Sequence, residues 1–253
     1  SIVSGNTEQK RDALGQIRNL GTEEASRIAI PALSDPDEIV RATAVNSVTH
    51  LPKPEVSSLL TPLLRDRSEF VRREAAFALG KAQIDGAVTA LSESALHDKA
   101  ASVRAAAAAA LGKIGSASGL AALTAILKRR RGSEDEYLRR SAARSVGQIA
   151  EKVRFGKYSR STPQDFLPEK YKEMVADPDL PKLSPAFQEP LRVLLKIAND
   201  RKENEDIRRE AAFALGAIGD PSAIPFLRAN ISSSDVYLAQ ICREALMKIP
   251  GAE

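Results

Sequence analysis

A single cysteine among 253 residues cannot close an intrachain disulfide, and two histidines add no Cys/His set at zinc-ligand spacing. The same scarcity leaves little from which to build a Ser-His-Asp system. No run of about 18 apolar residues occurs, so no segment reads as a membrane-spanning helix. Neither sign of charge dominates: 37 Lys and Arg against 33 Asp and Glu leave a net charge of +4, which argues against a phosphate-dominated surface and so against nucleic acid. Tryptophan is absent and aromatics are 4% of residues, so the core must be aliphatic. With 43% hydrophobic and 28% charged residues the chain is still a foldable composition. It begins at Ser1 rather than Met, which suggests a trimmed start and leaves the compartment open between cytoplasm and export.

What the chain does have is a repeat. Val71-Arg72-Arg73-Glu74-Ala75-Ala76-Phe77-Ala78-Leu79-Gly80 matches Ile207-Arg208-Arg209-Glu210-Ala211-Ala212-Phe213-Ala214-Leu215-Gly216 in nine of ten positions. The frame recurs from Val103 and Leu138, with weaker copies from Gln9, Val40 and Leu238. These anchors are spaced 31, 31, 32, 35, 69 and 31 residues apart. The outlier holds one repeat plus an insertion, expected at about residues 151–184 within the fifth repeat, and the whole reads as about seven units.

Counting from the anchor at about 100° per residue, positions 0, 4, 8 and 11 share one narrow helical face. They read Val71/Ala75/Leu79/Ala82, Val103/Ala107/Leu111/Ile114, Leu138/Ala142/Val146/Ile149 and Ile207/Ala211/Leu215/Ile218, a buried stripe. Gly80, Gly112, Gly147 and Gly216 at position 9 let neighbouring helices approach closely, which explains Gly where helix propensity disfavours it. A shorter second helix follows, carrying Ala29/Leu33, Leu60/Leu64, Leu91/Ala95, Leu123/Leu127 and Leu227/Ile231. One such hairpin cannot bury its apolar face alone, so the units must stack.

The pattern V-R-x-x-A-A-x-A-L-G-x-I-G followed by a leucine-bearing helix resembles the HEAT repeat of the phycobilisome-lyase-like type. The expected fold is therefore all-α, a right-handed α-solenoid of about seven HEAT-like helical hairpins, the last partial, forming one domain over residues 1–253. The resemblance implies that the helix opening with V-R lines the concave surface. Deoxyhypusine hydroxylase is similar in repeat type and takes its iron ligands from His-Glu pairs. The matching pairs here are Arg73-Glu74 and Arg209-Glu210, and a protonated guanidinium has no lone pair for iron.

Basic residues at position 1 (Lys10, Arg41, Arg72, Arg104, Arg139, Arg208) and the turn aspartates Asp35, Asp66 and Asp98 predict a ladder of ion pairs linking repeats. Cys242 stands where the earlier units carry alanine and reads as a packing residue. His50 and His97 have no ligand partner in the sequence pattern, so neither a metal nor a cofactor is expected. The basic run Lys128 to Arg131 is answered by Glu134, Asp135 and Glu136 and reads as a solvated turn. In the last unit Arg243 replaces a small inward residue, as a polar cap would.

Positions −1, 2, 3, 6 and 10 point away from the stripe and should face solvent. There lie Phe70, Arg73, Phe77, Tyr137, Arg140, Arg144, Arg209, Phe213 and Tyr237, with Ala105, Ala106 and Ala109 forming a shallow trough between aromatic ridges. Of 7 Phe and 4 Tyr, five lie on this face, five in or beside the insertion, and Phe226 alone on a packing helix. Aromatics and arginines dominate binding hot spots. The expected function is a non-enzymatic module whose concave groove binds a protein or peptide segment, with the arginines pairing its acidic groups. A phycobilin-lyase-like chromophore lyase subunit and a weak nucleic-acid-binding solenoid are the alternatives. The insertion, basic and aromatic at its start and proline-rich throughout, either docks on the solenoid as wall or cover, or is disordered.

Overall fold

The computed structural model describes residues 2, 4–130, 132–156 and 184–252. Most of the expected insertion, from 157 to 183, and with it the choice between docking and disorder, lies outside the described residues. Among the described residues there are thirteen α-helices and no strand. The first helices of the repeats are α1 Thr7–Leu20, α3 Glu38–Ser47, α5 Glu69–Lys81, α7 Ala101–Ile114, α9 Ser133–Phe155, α11 Glu205–Ile218 and α13 Val236–Met247. Alternating with them are the second helices α2 Glu23–Ala29, α4 Lys53–Leu60, α6 Val88–His97, α8 Leu120–Leu127, α10 Gln188–Asn199 and α12 Ile224–Asn230. Helices α1 to α7 form one compact unit, residues 1–114, and α8 to α13 a second, residues 115–253. Each is an all-α stack of the solenoid kind.

Local chemistry sets the helix ends. The Asn6 and Gln9 side chains each accept the other's backbone N–H in a capping box on α1, and Asp37 accepts the N–H groups of Ile39 and Val40 at the start of α3. Asn204 and Asp235 cap α11 and α13 in the same way. Gly219 closes α11 at φ 74°, the left-handed region that glycine enters without strain.

The predicted stripe is the core. Val71, Ala75, Leu79, Val103, Ala107, Leu111, Ile114, Leu138, Ala142, Val146, Ile149, Ile207, Ala211, Leu215 and Ile218 are all buried. A Cβ on Gly80 would lie 2.7 Å from Ala110 Cα, and one on Gly216 2.6 Å from Ala245 Cα, so position 9 of one repeat takes the backbone of the next. First helices therefore pack directly on one another, α5 on α7 and α9 on α11, whereas second helices meet sparsely. The closer packing is on the first-helix side of each stack.

Three details differ from the sequence pattern, the first being that Ala82, expected at the end of the α5 stripe, is the half-buried C-cap of that helix. Ile231, expected to be buried with Leu227, is the exposed C-cap of α12. Helix α9 does not stop at the usual point: where Gly115 and Gly219 stand in other repeats it has Ala150, and it continues to Phe155 before Gly156 closes it at φ 68°. Residues 151–155, expected in the insertion, are thus helical.

Candidate protein-interaction face

The ion-pair ladder fixes the first helices in register. Lys10 Nζ lies 2.7 Å from Asp35, Arg41 forks onto Asp66 at 2.8 and 2.9 Å, and Arg72 onto Asp98 at 2.7 and 2.9 Å. Arg139 makes the equivalent buried fork onto Glu203 at 2.9 and 2.6 Å. Each aspartate does not cap a helix directly. It accepts a backbone N–H two residues on, from Asp37, Ser68 or Ala100, and so shapes the turn. Burial alone would raise the Asp66 and Asp98 carboxyls, but the facing guanidinium and that N–H outweigh it and hold both below the usual carboxylate range. Lys10, Arg41, Arg72 and Arg139 are in this way taken up by the scaffold, while Arg104 donates to the carbonyls of Asp98 and Lys99 and Arg208 to that of Ala198.

On the first unit, α5 presents Phe70 and Phe77, 37% and 46% exposed. Arg73 stacks over Phe70 at 5.0 Å and contacts Glu74 at 3.5 Å. Lys113 reaches across from α7 to lie 4.2 Å over the Phe77 ring. Burial pushes the Lys113 ammonium below its ordinary value, and neighbouring Lys81 adds to the shift. Ala106 and Ala109 are half-exposed beside them, while Ala105 is buried.

On the second unit, Tyr137 and Tyr237 are 68% and 72% exposed. Between them the arginines are engaged by the chain's own acids. Arg144 lies 2.7 Å from Glu210, Arg140 3.1 Å from Asp206 and 3.6 Å from Glu210, and Arg209 2.9 Å from Asp235 and 2.8 Å from Asp206. Glu210, expected to face solvent, is buried because two arginines close over it. Arg209 also stacks on Tyr237 at 5.3 Å. Phe213 is half-buried: a Cβ on Gly147 would meet its ring at 2.4 Å, so the ring packs on α9.

One cluster escaped the sequence reading. Glu151 is fully buried, and Lys248 donates to it at 2.9 Å while lying 5.5 Å from the Phe213 ring. Three residues on, Arg154 donates to the carbonyls of Gly216, Ala217 and Lys248, tying the C-terminal ends of α11 and α13 to α9. The missing glycine at Ala150 was the available signal that α9 runs on.

Cys242 is fully buried, and burial pushes its thiol up to about 12, which leaves no thiolate near neutral pH. His97 lies 4.0 Å from Glu93 on an exposed turn of α6. No group of three or more His, Cys, Asp or Glu suited to a metal is found among the described residues. Lys128 pairs with Glu189 and Arg129 with Asp135. No helix among the described residues is long and apolar enough to cross a membrane.

A search of curated proteins gives no match. Among solved structures, an engineered protein matches 98% of this chain and 66% of its own at TM-score 0.58 and 18% identity. The complex of CpcE and CpcF of phycocyanin lyase from Nostoc sp. PCC7120 matches 76% of this chain and 64% of its own at TM-score 0.53 and 21% identity. The chain thus spans just under two thirds of each, and at these identities the likeness is one of fold. The family model for HEAT repeats matches residues 3–80, 58–147 and 183–249. With the buried stripe, the position-9 close approaches and the inter-repeat ladder all following the same period, the chain belongs to the HEAT repeat family.

Proposed function

We propose that this chain is a non-enzymatic protein-interaction module that binds partner segments on the inner faces of its HEAT repeats. One contrast carries the reading. Phe187 and Phe226, on the second-helix side, are 2% and 6% exposed, whereas Phe70, Phe77, Tyr137 and Tyr237 on first helices range from 37% to 72%. The stack is held by Ala, Val, Leu and Ile, so these rings are not needed for its cohesion, and exposed aromatics are the side chains on which interfaces anchor. Arg140, Arg144 and Arg209 stiffen the face around them through their own carboxylates, which also weakens the case for a phosphate track. Chromophore-lyase activity has support from fold likeness alone, and fold does not fix chemistry.

The test is affinity purification from native extract with the wild type, Phe70→Ala/Phe77→Ala and Tyr137→Ala/Tyr237→Ala, each checked for an unchanged thermal transition. Proteins retained by the wild type and lost from a variant support the reading. Identical recoveries from all three overturn it, and salt-sensitive DNA or RNA binding lost with the arginines would replace it.

A further inference from the structure

A phenylalanine six residues past one repeat anchor, faced by a lysine ten past the next, occurs twice: Phe77 with Lys113, and Phe213 with Lys248. In the second unit the lysine is satisfied, because Glu151 places a carboxylate oxygen 2.9 Å from Lys248 Nζ. That acid comes from thirteen residues past the fifth anchor, and the same place after the second anchor is Lys53, which donates instead to the Gln83 carbonyl at 3.3 Å. In the first unit, no carboxylate of the described residues pairs with Lys113 or Lys81.

A lysine in the last turn of a helix ordinarily complements the helix dipole and needs no further account. Lys113 does more than that. Its stem turns back across Phe77 on the neighbouring helix, half-burying an ammonium against a ring with a second ammonium, Lys81, close enough to disfavour its charge. The ring face offsets part of that cost, and an incoming carboxylate would offset the rest. Half-exposed Ala106 and Ala109 and the Phe70 ring lie on the same face and offer apolar surface to whatever flanks that carboxylate.

On the interaction reading above, we propose that Phe77, Lys81 and Lys113 form a carboxylate-binding cradle that anchors an acidic, apolar-flanked peptide segment of a partner protein on the first unit. Glu151 shows within the same chain what this pair of side chains accepts. The partner's Asp or Glu would take the place beside Lys113 that Glu151 takes beside Lys248, with an aliphatic or aromatic neighbour against Phe77.

Random-peptide display on the full chain tests this, with the strongest peptides then measured by calorimetry against wild type, K81Q/K113Q, K81R/K113R and Phe77→Ala. The expected peptides share an Asp or Glu beside an apolar residue. K81Q/K113Q should weaken them about tenfold or more, as removal of a close interfacial charge pair does. Changing the peptide acid to its amide should cost a similar factor without adding to that loss, and K81R/K113R should restore binding. Peptides lacking an acid, weakened by Phe77→Ala but indifferent to K81Q/K113Q, would overturn the carboxylate cradle and leave the interaction reading intact. Peptides indifferent to every variant, or no binder at all, would overturn both. Polyphosphate or oligonucleotide binding that depends on the lysines, with acidic peptides inert, would overturn the assignment to a protein segment.

Discussion

Phe77 and Phe213 occupy the same place in a nearly identical decapeptide, yet they have different work. Phe213 fills the space left by Gly147 on α9, whereas the corresponding residue on the α3 side is Thr49 and the Phe77 ring stays 46% exposed. Phe213→Ala should therefore destabilise the chain by about 2 kcal/mol or more, toward the range for truncating a packed ring, while Phe77→Ala changes stability by less than about 1 kcal/mol. Denaturant melts of the two variants decide this, and equal losses would mean that Phe77 is a packing residue as well. The decapeptide alone could not distinguish the two rings. What separates them is position 9 of the preceding repeat, a residue more than sixty positions away in the case of Phe213.

At the scale of the helix, legibility tracked how strictly a feature obeys the repeat. The stripe, the close approaches and the Arg–Asp ladder recur at fixed places and could be read from spacing. The Glu151–Lys248 pair and the Arg154 clamp occur once, on a helix that outruns its siblings, so no period announced them. Truncating Arg72 should cost about 3 to 5 kcal/mol, because it leaves Asp98 buried without its cation. Glu151→Ala should cost a similar amount by stranding Lys248, and hydrogen exchange should report the loss in α9, α11 and α13 first. The ladder also predicts an acid limit. Asp35, Asp66, Asp98 and Asp235 all have carboxyls held below the unfolded value of 3.8, so their stabilisation is complete above that pH and is lost as pH falls through the lower folded-state values. Urea midpoints should fall steeply below about pH 4, and Asp98→Asn should be less stable at neutral pH but less sensitive to acid.

Across the whole molecule, stability is assembled from neighbours. Leu79 and Leu215 are fully buried in different compact units, and Leu→Ala at either should cost about 2 to 5 kcal/mol. Exchange protection should then fall chiefly within residues 1–114 for Leu79→Ala and within 115–253 for Leu215→Ala, since solenoid repeats draw their stability from adjacent repeats. The ladder has a further consequence for how such a chain can change in length. Every rung runs from the first helix of one repeat to the turn that opens the next, so a segment cut from anchor to anchor carries off both ends of one rung and neither end of another. Excising residues 71–102 would remove Arg72 together with Asp98, keep Arg41 on Asp66, and bring Arg104 to the place Arg72 had held beside the Asp66 carbonyl. No charge is stranded by that operation, nor by its reverse. The ladder makes the repeat an exchangeable part, able to be lost or copied whole without stranding a charge.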